Sequence, residues 1–147
     1  MEQTLKHFKI SSFAVLILAG FSLFEIISEL LFGELNSAQL PAGAPENTLL
    51  IAKIVLLAVS VLLLLPKFYV GIKGLRIAKN PNTSKRHITW AMIIFAVLLL
   101  ELIGPAVTAI QQGGGYDNIS AVCGVLMELA FYYDYIKYAK AVAKQAE

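Results

Sequence analysis

The chain has 147 residues, of which 58% are hydrophobic and 15% are charged, and its mean hydropathy is +0.71. Soluble domains carry about 25% charged residues, so this composition excludes an ordinary soluble domain and predicts burial in a lipid bilayer. The net charge of +2 is too small to indicate nucleic-acid binding. The single cysteine, Cys123, excludes a disulfide within the chain, and we expect it to be a small packing residue in an apolar segment.

Four apolar segments follow one another along the chain, at about residues 10–32, 48–72, 88–110 and 119–138. Each is long enough to cross ~30 Å of hydrocarbon as a helix that rises about 1.5 Å per residue. In lipid a helix also satisfies its own backbone hydrogen bonds. The sequence therefore predicts an all-α polytopic membrane protein, with one domain over residues 1–147 that forms a four-helix transmembrane bundle.

The first two segments carry charged residues inside their apolar runs. Glu25 and Glu29 share a helix face with Ser22, and Lys53 lies seven residues before Ser60 on a face of the second segment. A charge at the centre of a membrane helix costs roughly 2.5–3.5 kcal/mol, so these side chains should face protein or water. In one interpretation Lys53 pairs with Glu25 or Glu29 across the first hairpin and forms a structural ion pair.

The third and fourth segments each carry one glutamate near the centre of the bilayer, Glu101 and Glu128. Small residues accompany them at helical spacing, with Gly104 on the third segment and Gly124 on the fourth, as expected for faces that pack inside a bundle. Pro105 should bend the third segment beside Glu101 and free a backbone carbonyl there. Two acids at one depth would share a proton, because both cannot ionise cheaply in a low dielectric.

The distribution of Lys and Arg predicts the orientation. Eleven of the twelve basic residues flank one side of the predicted bundle: Lys6, Lys9, Lys67, Lys73, Arg76, Lys79, Lys85, Arg86, Lys137, Lys140 and Lys144. Cytoplasmic loops carry an excess of such residues. We therefore expect both termini and the middle loop to lie in the cytoplasm, beneath a plasma or inner membrane, with the basic residues against anionic lipid headgroups.

The two halves of the chain resemble each other. Residues 68–76 and 132–140 share an aromatic pair followed by an Ile-Lys step and a further basic residue, and residues 23–27 and 99–103 share a central glutamate. This pattern is consistent with a tandem repeat of a two-helix hairpin. The alternative, that membrane hairpins in general share aromatic and basic ends, stays open.

The function that these residues favour is a transport or channel-like one. The candidate ion, proton or substrate-binding residues are the charges inside the segments: Glu25, Glu29, Lys53, Glu101 and Glu128. Four carboxylates against one ammonium would form a net negative site that opens to the outside and attracts a cation or exchanges protons. One alternative is a non-catalytic accessory subunit whose buried charges fix helix packing, and another is a small membrane enzyme that acts on a lipid-soluble substrate.

The sequence indicates no catalytic motif and no cofactor. Both histidines, His7 and His87, lie in the cytoplasmic flanks, so a transition-metal site is not expected, whereas carboxylates leave oxygen ligation of Mg, Mn or Ca open. Four helices are few to shield five internal charges. We therefore expect a homo-oligomer or a membrane partner subunit.

Overall fold

The computed structural model describes residues 2–32, 47–111 and 115–146, and 92% of these residues are helical. The helices are α1 (Glu2–Phe32), α2 (Thr48–Lys79), α3 (Arg86–Glu101), α4 (Ile103–Gln111) and α5 (Tyr116–Gln145). The predicted all-α fold class is confirmed.

Four helices in the described ranges are long and apolar enough to cross a membrane, with α3 and α4 counted as one. Their most apolar 18-residue windows have mean hydropathies between 1.3 and 2.8. The helices extend beyond the predicted apolar segments: α1 begins at Glu2, and α2 ends at Lys79. An apolar run marks the part that suits hydrocarbon, whereas the hydrogen-bonded helix continues through Lys, Ala and Arg, which have high helix propensity.

Helix α2 ends at Lys79, where the middle loop begins. The backbone N–H of Asn80 donates to the carbonyl of Arg76 at 2.9 Å and closes the last turn of α2. Pro81 follows, and the residue before a proline is disfavoured in the helical conformation. Arg76 and Lys79 lie in the last turn, where cations are favourable at the negative end of the helix dipole.

The third apolar segment is interrupted at Leu102, between α3 and α4. Pro105 lies three residues further along and lacks the N–H that would bond to the carbonyl of Glu101. Its ring also clashes with a carbonyl four residues back, which is that of Glu101. The disturbance that the sequence predicts beside Glu101 is therefore present.

The four long helices pack in a ring. Helix α1 packs mainly against α2 and α5, and α3 packs mainly against α5 and α2, while α4 continues along α5. We call the end of this bundle that carries residues 2–9, 73–90 and 135–145 the basic end, since most Lys and Arg residues lie there. The buried core extends from this end to the middle of the bundle.

The centre of the core is a close approach of α1, α2 and α5. A Cβ atom at Gly74 would collide with the Ser12 hydroxyl and lie 2.7 Å from the ring of Tyr135. The Tyr135 hydroxyl donates a hydrogen bond to the carbonyl of Val70 at 3.0 Å. Only a residue without a side chain at position 74 lets the three helices come this close, so Gly74 determines the packing here.

The opposite end of the bundle is loosely packed. Phe32 and Ile110 are 85% and 82% exposed, and α4 has no buried residue. Gly104 and Gly124 have open space where a Cβ would lie, so the predicted packing of these small residues between helices is wrong within the described chain. Cys123 is also exposed, which contradicts its expected role as a packing residue.

Candidate functional site

A cleft of about 770 Å³ lies between α1, α2 and α3. Leucine and isoleucine are the most frequent residues of its walls, and the polar side chains that line it include Ser22, Glu25, Ser60, Lys67 and Glu101. Small-molecule sites in proteins have volumes of roughly 300–1,000 Å³ and combine apolar walls with a few polar groups. The cleft has the size and the composition of a binding site.

Helical spacing brings the lining residues of each helix to one face. On α1, Ser22 and Glu25 are three residues apart, and on α2, Ser60 and Lys67 are seven apart. On α3, Glu101 follows Ile94 at a spacing of seven, which continues the same face along two turns. Part of each predicted polar face therefore lines the cleft, namely Ser22 and Glu25 of α1, Ser60 of α2 and Glu101 of α3.

An ion pair joins α2 to α5 beside the cleft. The Lys67 ammonium lies 3.1 Å from Oε2 and 3.3 Å from Oε1 of Glu128, and it also donates to the Ser22 hydroxyl at 3.3 Å. The two charged side chains are only 16% and 17% exposed. The contact thus links three helices through one cation, and it neutralises Lys67 within the cleft.

Glu25 and Glu101 provide the two carboxyl groups of the cleft wall. Both side chains are exposed, and within the described ranges neither takes part in an ion pair or a side-chain hydrogen bond. Because Glu128 neutralises Lys67, no cation of the cleft balances these two groups.

Glu29 lies outside the large cleft. It lines a smaller hollow of about 250 Å³ together with Glu25 and Ser60, one helical turn from Glu25 towards the end of the bundle opposite the basic end. Glu25 and Ser60 line both spaces, so the two hollows are neighbours. Lys53 is half-buried on α2, and its pairing with Glu25 or Glu29 stays a prediction.

The structure therefore separates the five predicted site residues. Glu25 and Glu101 line the cleft, whereas Glu128 pairs with Lys67 and not with Glu101, so this geometry does not support the proton expected to be shared between Glu101 and Glu128. The cleft also extends from the middle of the bundle towards the basic end, because Trp90 of α3 lines it as well. The sequence predicts a site that opens to the outside, at the end of the bundle opposite the basic end, so the position of the cleft differs from that prediction.

Lys67 lies further inside the bundle than a residue that only flanks the middle loop. It is twelve residues before the end of α2, about 18 Å along the helix. Its spacing of seven residues from Ser60 was the signal that places it on the polar face of α2. The sequence contains no comparable signal for its partner, Glu128 of α5, because tertiary packing determines which helices become neighbours.

In the parts of the chain that the structure describes, no three His, Cys, Asp or Glu residues lie close enough together to hold a metal ion. His87 is buried among aromatic rings, 6.2 Å from the ring of Phe8 and 6.0 Å from that of Tyr135 between centroids, and it does not line the cleft.

Comparison with known proteins finds no matching family, no similar curated protein and no similar solved structure. The fold and the cleft define the class: an all-helical chain with four helices of membrane-spanning length and composition, around a cleft that contains carboxyl groups. The function is therefore argued from the geometry of that cleft.

Proposed function

We propose that this chain is a small integral membrane protein of the transport type, in which Glu25 and Glu101 bind a cation or exchange it for protons. The observation that carries the proposal is the cleft of about 770 Å³, whose largely apolar wall holds two carboxyl groups and one lysine that is already paired with Glu128. A charged carboxylate in apolar surroundings is unfavourable. Each group therefore gains from a proton or from a bound cation, and one can replace the other.

The proposed orientation places the basic end in the cytoplasm. Lys and Arg are favoured in cytoplasmic flanks, and the side chains of Lys79, Lys85, Arg86 and Lys140 are exposed at this end of the bundle. Four crossings return the chain to the side where it begins. Both ends of the described chain would then lie in the cytoplasm, and the exposed apolar surface of the helices would face hydrocarbon.

The ion pair has a supporting role in this proposal. A free ammonium in the cleft would repel a cation, but Lys67 lies 3.1 Å from Glu128 and is neutralised by it. The charge that remains in the cleft belongs to Glu25 and Glu101. The cleft is therefore negative when both are ionised, although its walls contain a lysine.

The proposal is tested by flux measurements in proteoliposomes. With a pH-sensitive dye inside the vesicles, we expect an imposed cation gradient to drive proton movement through the wild-type protein. Glu25→Gln and Glu101→Gln should each lower the rate about tenfold or more, because an amide neither releases a proton nor neutralises a cation.

Asp134→Asn is the matched control for this experiment. It makes the same carboxylate-to-amide change on an exposed side chain of α5 that does not line the cleft, so the rate should not change. Flux equal to that of protein-free vesicles, or flux that survives both cleft substitutions, would contradict the proposal.

A second candidate function is that of an accessory subunit whose buried charges fix helix packing. The ion pair of Lys67 and Glu128 favours it, because this contact ties α1, α2 and α5 together through Ser22. It does not account for Glu25 and Glu101, whose carboxyl groups stabilise no contact within the described chain. The transport proposal uses both groups and is therefore preferred.

A further inference from the structure

The cleft is continuous with the outer surface of the bundle between α2 and α3. Leu62 and Leu65 of α2 and Ile93 of α3 line it, yet they are 69%, 61% and 47% exposed. Side chains that belong both to a cavity wall and to the molecular surface mark the mouth of that cavity. Because this surface is apolar and lies on helices of membrane-spanning composition, the mouth faces the region where hydrocarbon would be.

Within the described residues, the cleft holds no cluster of three acidic, histidine or cysteine side chains that could ligate a small inorganic cation. Calcium takes six to eight oxygen ligands, and magnesium requires near-octahedral oxygen coordination. The side-chain oxygens on the cleft wall come from Glu25, Glu101, Ser22, Ser60 and a tyrosine, spread over three helices, and the described residues hold no metal-binding cluster. A large cation with delocalised charge is less costly to dehydrate, because the Born energy falls as the ionic radius rises.

The shape of the cleft suits an elongated apolar molecule. Its lining runs from Ser60 to Tyr69 along α2 and from Trp90 to Glu101 along α3, which corresponds to roughly 14–17 Å at 1.5 Å per residue. This length is about half of the hydrocarbon thickness. The carboxyl groups of Glu25 and Glu101 lie towards the middle of the bundle, whereas two aromatic rings lie towards the basic end.

Those rings belong to Tyr69 and Trp90, which are 39% and 43% exposed. Aromatic faces attract organic cations, and they also pack against apolar or aromatic groups. Apart from Lys67, which is paired with Glu128, the cleft thus combines two carboxyl groups, a leucine-rich wall and two aromatic rings. A molecule that uses all three features has a positive centre and an apolar or aromatic body.

We propose that the ligand of the cleft is a lipophilic organic cation that enters from the bilayer between α2 and α3. Its charge would be neutralised by Glu25 and Glu101, and its body would lie against the leucines and the rings of Tyr69 and Trp90. This inference rests on the proposed function and narrows it to one substrate class. Binding of the cation would displace protons from the two carboxyl groups, so protons and ligand compete.

Tetraphenylphosphonium is a suitable probe, because it is a lipophilic aromatic cation that does not titrate. With the protein in lipid nanodiscs, we expect saturable binding of the radiolabelled probe, and we expect its Kd to rise as the pH is lowered. Glu25→Gln and Glu101→Gln should each weaken binding about tenfold or more, the usual effect of losing a charge-assisted contact. Asp134→Asn should leave the Kd unchanged.

The outcomes separate this inference from the proposed function. If the probe does not bind saturably but inorganic cations drive Glu101-dependent proton flux in vesicles, the substrate class is wrong and the transport proposal stands. If neither occurs, both are wrong. Probe binding that is indifferent to pH and to both substitutions would overturn the inference as well, since it would show adsorption to the apolar surface. The pH dependence is measured on the wild-type protein, so the test does not depend on whether the variants fold.

Discussion

At the scale of single residues, the contact between Lys67 and Glu128 shows how a charge inside an apolar helix is accommodated. The ammonium contacts both carboxylate oxygens at 3.1–3.3 Å and the Ser22 hydroxyl at 3.3 Å. Breaking a buried pair by removing one partner leaves the other charge without compensation, which costs more than the net stabilisation by the intact pair. The pair is therefore more important for the arrangement of the helices than for total stability.

We predict that Lys67→Met lowers the free energy of unfolding by about 1–3 kcal/mol, less than for a fully buried pair because both side chains are partly exposed. Thermal unfolding in detergent measures the effect. The double variant Lys67→Met/Glu128→Gln should recover part of the loss, since no charge is left uncompensated. Lys79→Met, an exposed lysine of the same helix, is the control. A Lys67 variant as stable as the control would contradict a role for the pair in packing.

At the scale of helices, two glycines in different surroundings give a paired prediction. A Cβ at Gly74 would meet Ser12 and Tyr135, whereas a Cβ at Gly104 would have nothing within 4 Å. Gly74→Ala should therefore destabilise the fold by about 1–3 kcal/mol through overpacking. Gly104→Ala should be neutral or slightly stabilising, because alanine has the higher helix propensity.

Thermal unfolding of the two glycine variants, measured side by side, tests the packing of α1, α2 and α5. The chemical change is the same in both, so a difference in melting temperature reports only the surroundings of each position. Equal melting temperatures would show that the three helices do not approach as closely as the contact between Gly74 and Tyr135 requires.

The helices themselves were predictable from sequence, because long apolar runs and proline positions are local signals. The break at Leu102 follows from Pro105, and the end of α2 follows from the Asn80-Pro81 step. The helix ends were less predictable, since a solvated helix continues past the apolar run. The exposure of Cys123 was not predictable at all, because an apolar residue on a membrane helix can face either another helix or lipid.

The cleft was predictable only in part. Glu25 and Glu101 were recognised because a charge in an apolar segment needs protein or water around it. Their separation from Glu128 could not be predicted, because helical spacing shows on which face of its helix a residue lies but not which helix packs against that face. The pairing of Lys67 with Glu128 needs the ring order of the helices, which no local pattern contains.

At the scale of the whole molecule, the bundle is tight at the basic end and open at the other. Four helices present a large exposed apolar surface, and Glu29 lies on the open part. We predict that a second copy or a membrane partner covers part of this surface. Native mass spectrometry from mild detergent should show a dimer or a larger assembly, and a monomer alone would contradict the self-assembly part of this prediction.

The central claim is that Glu25 and Glu101 exchange protons for a cation. Proton release on addition of the cation, measured in weakly buffered detergent solution, tests it most directly. We predict that the wild-type protein releases protons when tetraphenylphosphonium is added, and that Glu25→Gln/Glu101→Gln releases none. No release from the wild-type protein with any cation, or equal release from the double variant, would contradict the claim.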